Sequence, residues 1–179
     1  MEGEDLMLEK YTKDIKNGFY VDAGCYHPLH LNNTYLLYKK KWSGINIDLS
    51  KFSIALFNCI RPNDLNVNAA VSNKDEEVIF YYQKKLSQLT TIKKAISKER
   101  MQGQIKEKKI KALSLTKIID NSKYKNRKID FLNIDIEGAD FEALQSLNFN
   151  TYRPKVICVE IIEKNLLNSK IFKYLDNLE

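Results

Sequence analysis

The amino-acid sequence predicts an α/β fold: an open, mostly parallel sheet with helices on both faces. Three observations carry the prediction. Short β-branched runs alternate with helix-periodic segments along the chain. The strand-sized runs are nearly continuous in apolar residues, as parallel strands buried on both sides require. Several of them end in a carboxylate: Asp22, Asp48, Asp135 and, at the exit of the last run, Glu160. Ligands of open α/β sheets bind outside the carboxyl ends of the strands. Four acids brought to one edge therefore mark a site rather than a solvated surface.

Each element has its own justification. Gly18–Asp22 is a short apolar strand, and Asn33–Lys41 is helical, with Tyr35, Leu36, Leu37 and Tyr38 as its apolar face. Gly44–Asp48 is a second strand, Phe52–Cys59 a short helix, and Leu65–Val71 a third, β-branched strand. A turn at Ser72–Asp75 leads into the extended run Glu77–Tyr82. Residues 83–111 are polar and basic and read as an inserted helix or a flexible excursion. Leu113–Asn121 is a helix that Ser114 can cap. Ile129–Asp135 is the clearest strand, Ala139–Leu147 an amphipathic helix, Lys155–Ile161 a nearly continuous apolar strand, and Asn168–Leu178 a terminal helix.

The chain has 179 residues, 44% of them hydrophobic and 29% charged. That is room for one domain with a core, residues 1–179, and the composition argues against disorder. No uncharged apolar run approaches the roughly 20 residues of a membrane span. The acidic start, Met1-Glu2-Gly3-Glu4-Asp5, lacks the apolar stretch of a secretory signal. Three widely spaced cysteines, Cys25, Cys59 and Cys158, suggest reduced thiols and a cytoplasmic location. The net charge of +6 is uneven: residues 84–128 hold 15 Lys/Arg against three acids, and the rest of the chain is mildly acidic. Such a segment is either a solvated surface or a footprint for a phosphorylated, lipidic or nucleic-acid partner.

Asp22-Ala23-Gly24-Cys25 places an acid at a strand tip before a glycine that lets the backbone approach a ligand. It is neither the three-glycine dinucleotide fingerprint nor a lysine-bearing phosphate loop. Asp48 follows 26 positions later at the next strand tip, where nucleoside-binding folds accept hydrogen bonds from ribose. An adenosine cofactor without phosphates fits this pair, and S-adenosylmethionine is one.

The segments Gly18–Pro28, Asn32-Asn33-Thr34 and Lys41–Asp48 resemble the FkbM family of methyltransferases. Asp130–Gly138, with its Asp135-x-Glu137-Gly138, is similar to a second family motif, and Tyr152–Glu160 to its closing strand. The resemblance runs from about Gly18 to Glu163; Cys25 replaces a usual alanine and Asn32 a usual serine. It implies a Rossmann-like class I methyltransferase using S-adenosylmethionine. Asp22 and Gly24 would then line the methionine moiety, Asn33 and Thr34 its carboxylate, Asp48 the ribose, Asn68 and Ala69 the adenine, and Asp135 the amino group and the acceptor.

The resemblance points to a hydroxyl of a sugar, glycan or small metabolite as acceptor, and the basic segment suits a nucleotide-sugar or phospholipid-linked one. Asp135 and His27 are the candidate bases, since an unperturbed imidazole titrates near neutrality. Glu137 and Glu160 complete the catalytic candidates. Each has a plainer reading: acids favour helix N-termini, and a loop histidine often satisfies backbone groups. The acids offer no dedicated metal spacing, and no metal is expected. A nucleic-acid methyltransferase is one alternative, but there is no Asn-Pro-Pro-Tyr-like motif and no basic run interleaved with aromatics. A non-catalytic Rossmann-like binding module is another, opposed by the retention of Asp22, Gly24, Asp48, Asp135 and Glu137. Class I methyltransferases finish with an antiparallel hairpin, and this sequence stops at Leu178-Glu179. The sheet is therefore expected to lack that hairpin, its edge closed by a further segment or by a partner such as a second copy.

Overall fold

The computed structural model describes residues 4–162 and 165–178; Met1–Gly3, Glu163, Lys164 and Glu179 lie outside the described residues. Strand β1 (Phe19–Ala23) is central. It is flanked by β2 (Ser43–Asp48) and β7 (Phe131–Ile134), and these by β3 (Leu65–Asn68) and β8 (Val156–Val159). The order is β3-β2-β1-β7-β8, and every pairing is parallel. All five residues of β1 are buried, which explains its unbroken apolar run around Asp22.

Side chains alternate across this sheet. Phe19, Val21, Ala23, Ile45, Ile47, Leu132 and Ile134 face the main core. Helices α5 (Leu115–Asp120) and α6 (Asp140–Gln145) cover them with Leu115, Ile118, Ile119, Ala143 and Leu144. Ile171 of α7 (Lys170–Asp176) joins the same core. On the other face Tyr20 and Phe131 meet Trp42, Leu37 of α2 (Tyr35–Lys39) and Leu8 of α1 (Glu4–Thr12). Each large side chain so buried contributes roughly 1.5–3 kcal/mol. Ser114 caps α5 as expected, its Oγ accepting from Lys117 N–H at 3.2 Å. Ser50 does the same for α3 (Lys51–Ile60), accepting from Ser53 N–H.

Several expectations are corrected. Leu65–Val71 is not one strand. The β2 ladder ends at Asp48 opposite Asn68, and the chain changes sheets at Ala69. β4 (Ala70–Val71) then pairs with β6 (Lys106–Leu113) in a second sheet ordered β4-β6-β5, with β5 at Glu77–Tyr82. The basic stretch is therefore more than a helix or an excursion. It carries α4 (Lys94–Arg100) and then strand β6, antiparallel to β5. The helix expected over Asn33–Lys41 is only Tyr35–Lys39, because Asn32, Asn33 and Thr34 spend their polar groups on the site. The terminal helix begins at Lys170, after a 3-10 turn at Leu166–Asn168. Helix α1 was not anticipated. Among the described residues β8 is an edge of the central sheet.

Candidate active site

The chain leaves β1 toward β2 and β3, then returns to its other side as β7 and β8. At such a reversal the loops beyond the two central strands diverge and leave a crevice. Here those loops meet at one point. Gly24 has φ +86°, and a Cβ on it would fall 1.8 Å from the Asp135 carbonyl oxygen. Only glycine fits that approach. The Asp135 N–H in turn donates to Ala23 O at 3.0 Å.

A cleft opens on both sides of this contact. One lobe, a narrow cavity of about 40 Å³, is walled by Asp48, Leu49, Ala69, Ala70, Val71 and Ile136. The other, about 120 Å³, is polar and walled by Asp22, Asn32, Asn33 and Asn133. Gly24, Gln88 and Asp135 belong to both walls, so the two lobes adjoin there.

Asp48 is held by its neighbours' backbone. Its Oδ2 accepts from Tyr26 N–H at 2.9 Å and its Oδ1 from Ser50 N–H at 2.7 Å. Burial nevertheless pushes its pKa up to about 6, against the lowering effect of those two bonds. Tyr26 sits at φ +54° to make its bond, and Ser53 Oγ donates to Tyr26 O. Ala69 lines the apolar lobe, but Asn68 does not. The Asn68 amide donates to Asp48 O and Leu49 O, both at 2.9 Å, so it fixes the loop rather than the wall.

Asp22 is fully buried and accepts from three side chains: Asn133 Nδ2 at 2.9 Å, Thr34 Oγ1 at 2.8 Å and Asn32 Nδ2 at 3.1 Å. Burial raises its pKa more than these donors lower it. Thr34 is also buried and faces Asp22, not the cleft. Asn33 does line the polar lobe. Its amide donates to Asn133 Oδ1 at 3.1 Å, while its own Oδ1 is buried with no partner.

Arg61 was missed by sequence reasoning. Its guanidinium is wholly buried and donates to Pro28 O, Asn32 Oδ1 at 2.7 Å and Thr34 Oγ1 at 2.8 Å. The rings of Phe57 and Tyr38 flank it at 4.9 and 5.2 Å. Arg61 thereby locks the loop that delivers Asn32 and Thr34 to Asp22 and Asn33 to Asn133. Its only sequence signal is an arginine directly after an apolar helix.

Asp135 opens into the cleft. The residue itself is exposed, but the cleft walls crowd its carboxyl and partly desolvate it; that desolvation, then the charges of Glu160, Glu137, Asp140 and Asp22, push its pKa up to about 7. Carboxylate oxygens of Asp135, Asp140 and Glu160 all lie within 4.8 Å of one another. Asp140, also unforeseen, is buried and accepts from Ile136 N–H at 2.9 Å and Gly138 N–H at 3.0 Å, which shapes the loop after β7. Glu160 points into a neighbouring depression beside Asp140, with its Oε2 buried and unpartnered. Glu137 sits at φ +56° and pairs with Arg100 at 2.6 Å. Burial raises its pKa more than Arg100 lowers it. His27 lies off the cleft wall. Its Nδ1 accepts from Leu29 and His30 N–H at 3.1 and 3.2 Å, the role of a loop histidine, and burial beside His30 lowers its pKa.

The basic insert forms a strap across the cleft. Ser87, Gln88, Thr90 and Ile92 line the apolar lobe. Three ties pin the strap to the loop after β7 and to α6: Thr91 Oγ1 to Glu137 O at 2.8 Å, Lys93 to Glu142 at 2.5 Å, and the Arg100–Glu137 pair.

A five-stranded parallel sheet flanked by helices, with this reversal at its centre and a cleft at its carboxyl edge, is a Rossmann-like architecture of the kind methyltransferases use. The sequence matches the model of the Methyltransferase FkbM domain over residues 22–178. The chain belongs to that family and is a methyltransferase. No curated protein and no solved structure matches it. No helix among the described residues is long and apolar enough to cross a membrane.

Proposed function

We propose that the chain uses S-adenosylmethionine to O-methylate a hydroxyl of a sugar, glycan or small metabolite. The observation that carries this reading is the two-lobed cleft joined at Gly24 and Asp135, with an orphaned acceptor in one lobe and an anchored aspartate in the other. Asn33 Oδ1 is a buried acceptor without a donor, and a cofactor ammonium supplies one. Asp22 and Gly24 line that same end. Asp48 uses two of a carboxylate's roughly four acceptor sites on backbone N–H groups, which leaves capacity for ribose hydroxyls. Leu49, Ala69 and Ala70 make an apolar wall suited to adenine.

When bound, the cofactor supplies an electrophilic methyl group. The chain's own part is orientation and proton handling. Holding the acceptor hydroxyl in line is worth up to roughly 7–11 kcal/mol in favourable cases. Asp135 is the group that takes the hydroxyl proton, at its carboxylate. A pKa near 7 leaves it partly ionised at neutral pH yet basic enough to be protonated. Gln88, Thr90 and Ile92 of the strap exclude water from the wall opposite. Thr34 and Arg61 act at one remove, by fixing Asp22 and its loop.

Calorimetric titration with S-adenosylhomocysteine tests the assignment. Asp48→Ala should weaken binding about tenfold or more, the effect of losing charge-assisted hydrogen bonds. Unchanged affinity sinks the ribose assignment.

A further inference from the structure

Beside the donor cleft lies a second, larger groove of about 450 Å³, open to solvent. It runs between the start of α3 and the antiparallel β5–β6 pair. Thr90 lines both the groove and the cleft, and Ser50, two residues beyond Asp48, opens the groove's other side. The two spaces therefore share an edge.

The groove has an unusual lining. Lys51, Lys84, Lys85 and Lys108 converge on it from three separate segments, and no Asp or Glu lines it. Lysines without an acid partner are common in this chain, so what marks these four is their convergence on one concave wall free of acids; on the opposite face of β6, by contrast, Lys109 meets Glu77 at 2.8 Å. None of the four groove lysines has a carboxylate within 4 Å among the described residues. A solvated charge run does not explain this, because Lys51 lies outside the basic insert and strand register selects Lys108. Lys108 stands opposite Phe80, on the face that carries Phe80 and Tyr82.

Aromatic rings complete the wall. Phe80 is buried in the floor, 5.4 Å from the Tyr82 ring. Phe52 faces them from α3 and is 45% exposed, a large apolar surface left in water. Four unpaired cations beside a flat apolar wall are complementary to a ligand with phosphates at one end and a ring at the other. A single phosphate, at about −1.5 to −2, leaves two cations unmatched, so a diphosphate is the better match.

We propose that this groove binds the nucleoside diphosphate end of the methyl acceptor, with the ring against Phe52 and Tyr82 and the phosphates among Lys51, Lys84, Lys85 and Lys108. The inference deepens the proposed function and rests on it for the ligand's role as acceptor; the binding itself does not depend on it. The groove holds the carrier, and the sugar reaches Asp135 over the Thr90 edge.

Calorimetry on the full chain tests this with uridine diphosphate, uridine, inorganic pyrophosphate and S-adenosylhomocysteine as probes. Uridine diphosphate should bind about tenfold tighter than either uridine or pyrophosphate, and more weakly as salt rises. The double variant Lys84→Gln/Lys85→Gln should weaken it about tenfold or more while S-adenosylhomocysteine affinity stays within about twofold. Phe52→Ala should weaken the nucleotide but not pyrophosphate. Pyrophosphate binding as tightly as the nucleotide, or indifference to these exposed-side-chain variants, overturns the proposal. So does a single-stranded RNA oligonucleotide that outcompetes uridine diphosphate for the same lysines. Loss of S-adenosylhomocysteine binding in the unmodified chain, with nucleotide binding intact, would instead remove the proposed methyl donor and leave the groove standing.

Discussion

Asp48 and Asp135 stand at the ends of the two strands that flank β1, and desolvation raises both carboxyls, to about 6 and about 7, although Asp135 is the more open of the two. Their surroundings differ. Each oxygen of Asp48 accepts a backbone N–H, so its direction is fixed and its charge is partly supported. No group among the described residues donates to the Asp135 carboxylate, and Glu160, Glu137, Asp140 and Asp22 all oppose its ionisation. One residue type on one sheet edge thus gives a carboxylate held by backbone N–H groups in one place and an undonated carboxyl with a pKa of about 7 in the other, the division on which the proposed roles of ribose acceptor and base rest. The neighbours decide which.

The largest expected effect breaks or keeps that division. Asp135→Asn should lower kcat by about 10²–10⁴-fold with S-adenosylhomocysteine affinity within about threefold, measured under donor saturation. Since the base must be ionised, kcat of the unmodified enzyme should climb about tenfold per pH unit below about pH 7 and level off above. A flat profile, or a greater loss of kcat in Asp48→Asn, would reverse the two roles.

The same carboxyl should also be visible in stability. A folded-state pKa above the unfolded value of 3.8 means that the folded chain binds more protons between about pH 4 and 7. Stability therefore falls as pH rises through that window, and ionised Asp135 opposes folding above it. Asp135→Asn should raise the urea midpoint at pH 8 relative to the unmodified chain, with the difference shrinking toward pH 4. A midpoint that drops at pH 8 would make Asp135 a structural residue.

The strand tips were legible because a parallel strand buried on both faces leaves its carboxylate conspicuous. Asp22, Asp48 and Asp135 stand out from runs such as Ile45-Asn46-Ile47 and Phe131-Leu132-Asn133-Ile134. Gly24 was legible as a turn, but the carbonyl it must accommodate belongs to Asp135, 111 residues away. Strand β6 was hidden because its ladder lies on a surface: Lys106, Glu107, Lys108 and Lys109 are all exposed, so neither face writes an apolar alternation. Arg61 and Asp140 were hidden for another reason. Both are buried charges whose partners are loop backbone and side chains fixed only by the fold, at Pro28 and Asn32 for one and at Ile136 and Gly138 for the other. Gln88 looked like insert surface until the strap was laid across both lobes.

The smallest expected effect sharpens the contrast from the side of the strap. Arg100 reaches from α4 to Glu137 in a pair that is partly exposed, and Thr91 and Lys93 hold the strap independently. Arg100→Gln should therefore cost less than about 1 kcal/mol of stability and quicken amide exchange across residues 93–100. It also leaves the Glu137 charge less compensated beside Asp135, so the acid limb of the kcat profile should move to higher pH, whereas Glu137→Gln should move it lower. Asp48 lies outside this carboxylate cluster, so S-adenosylhomocysteine affinity should hardly change in either variant. A shift of donor affinity without a shift of the pH limb would tie the strap to the Asp48 lobe instead, and would assign the Arg100–Glu137 pair to donor binding rather than to the tuning of the base.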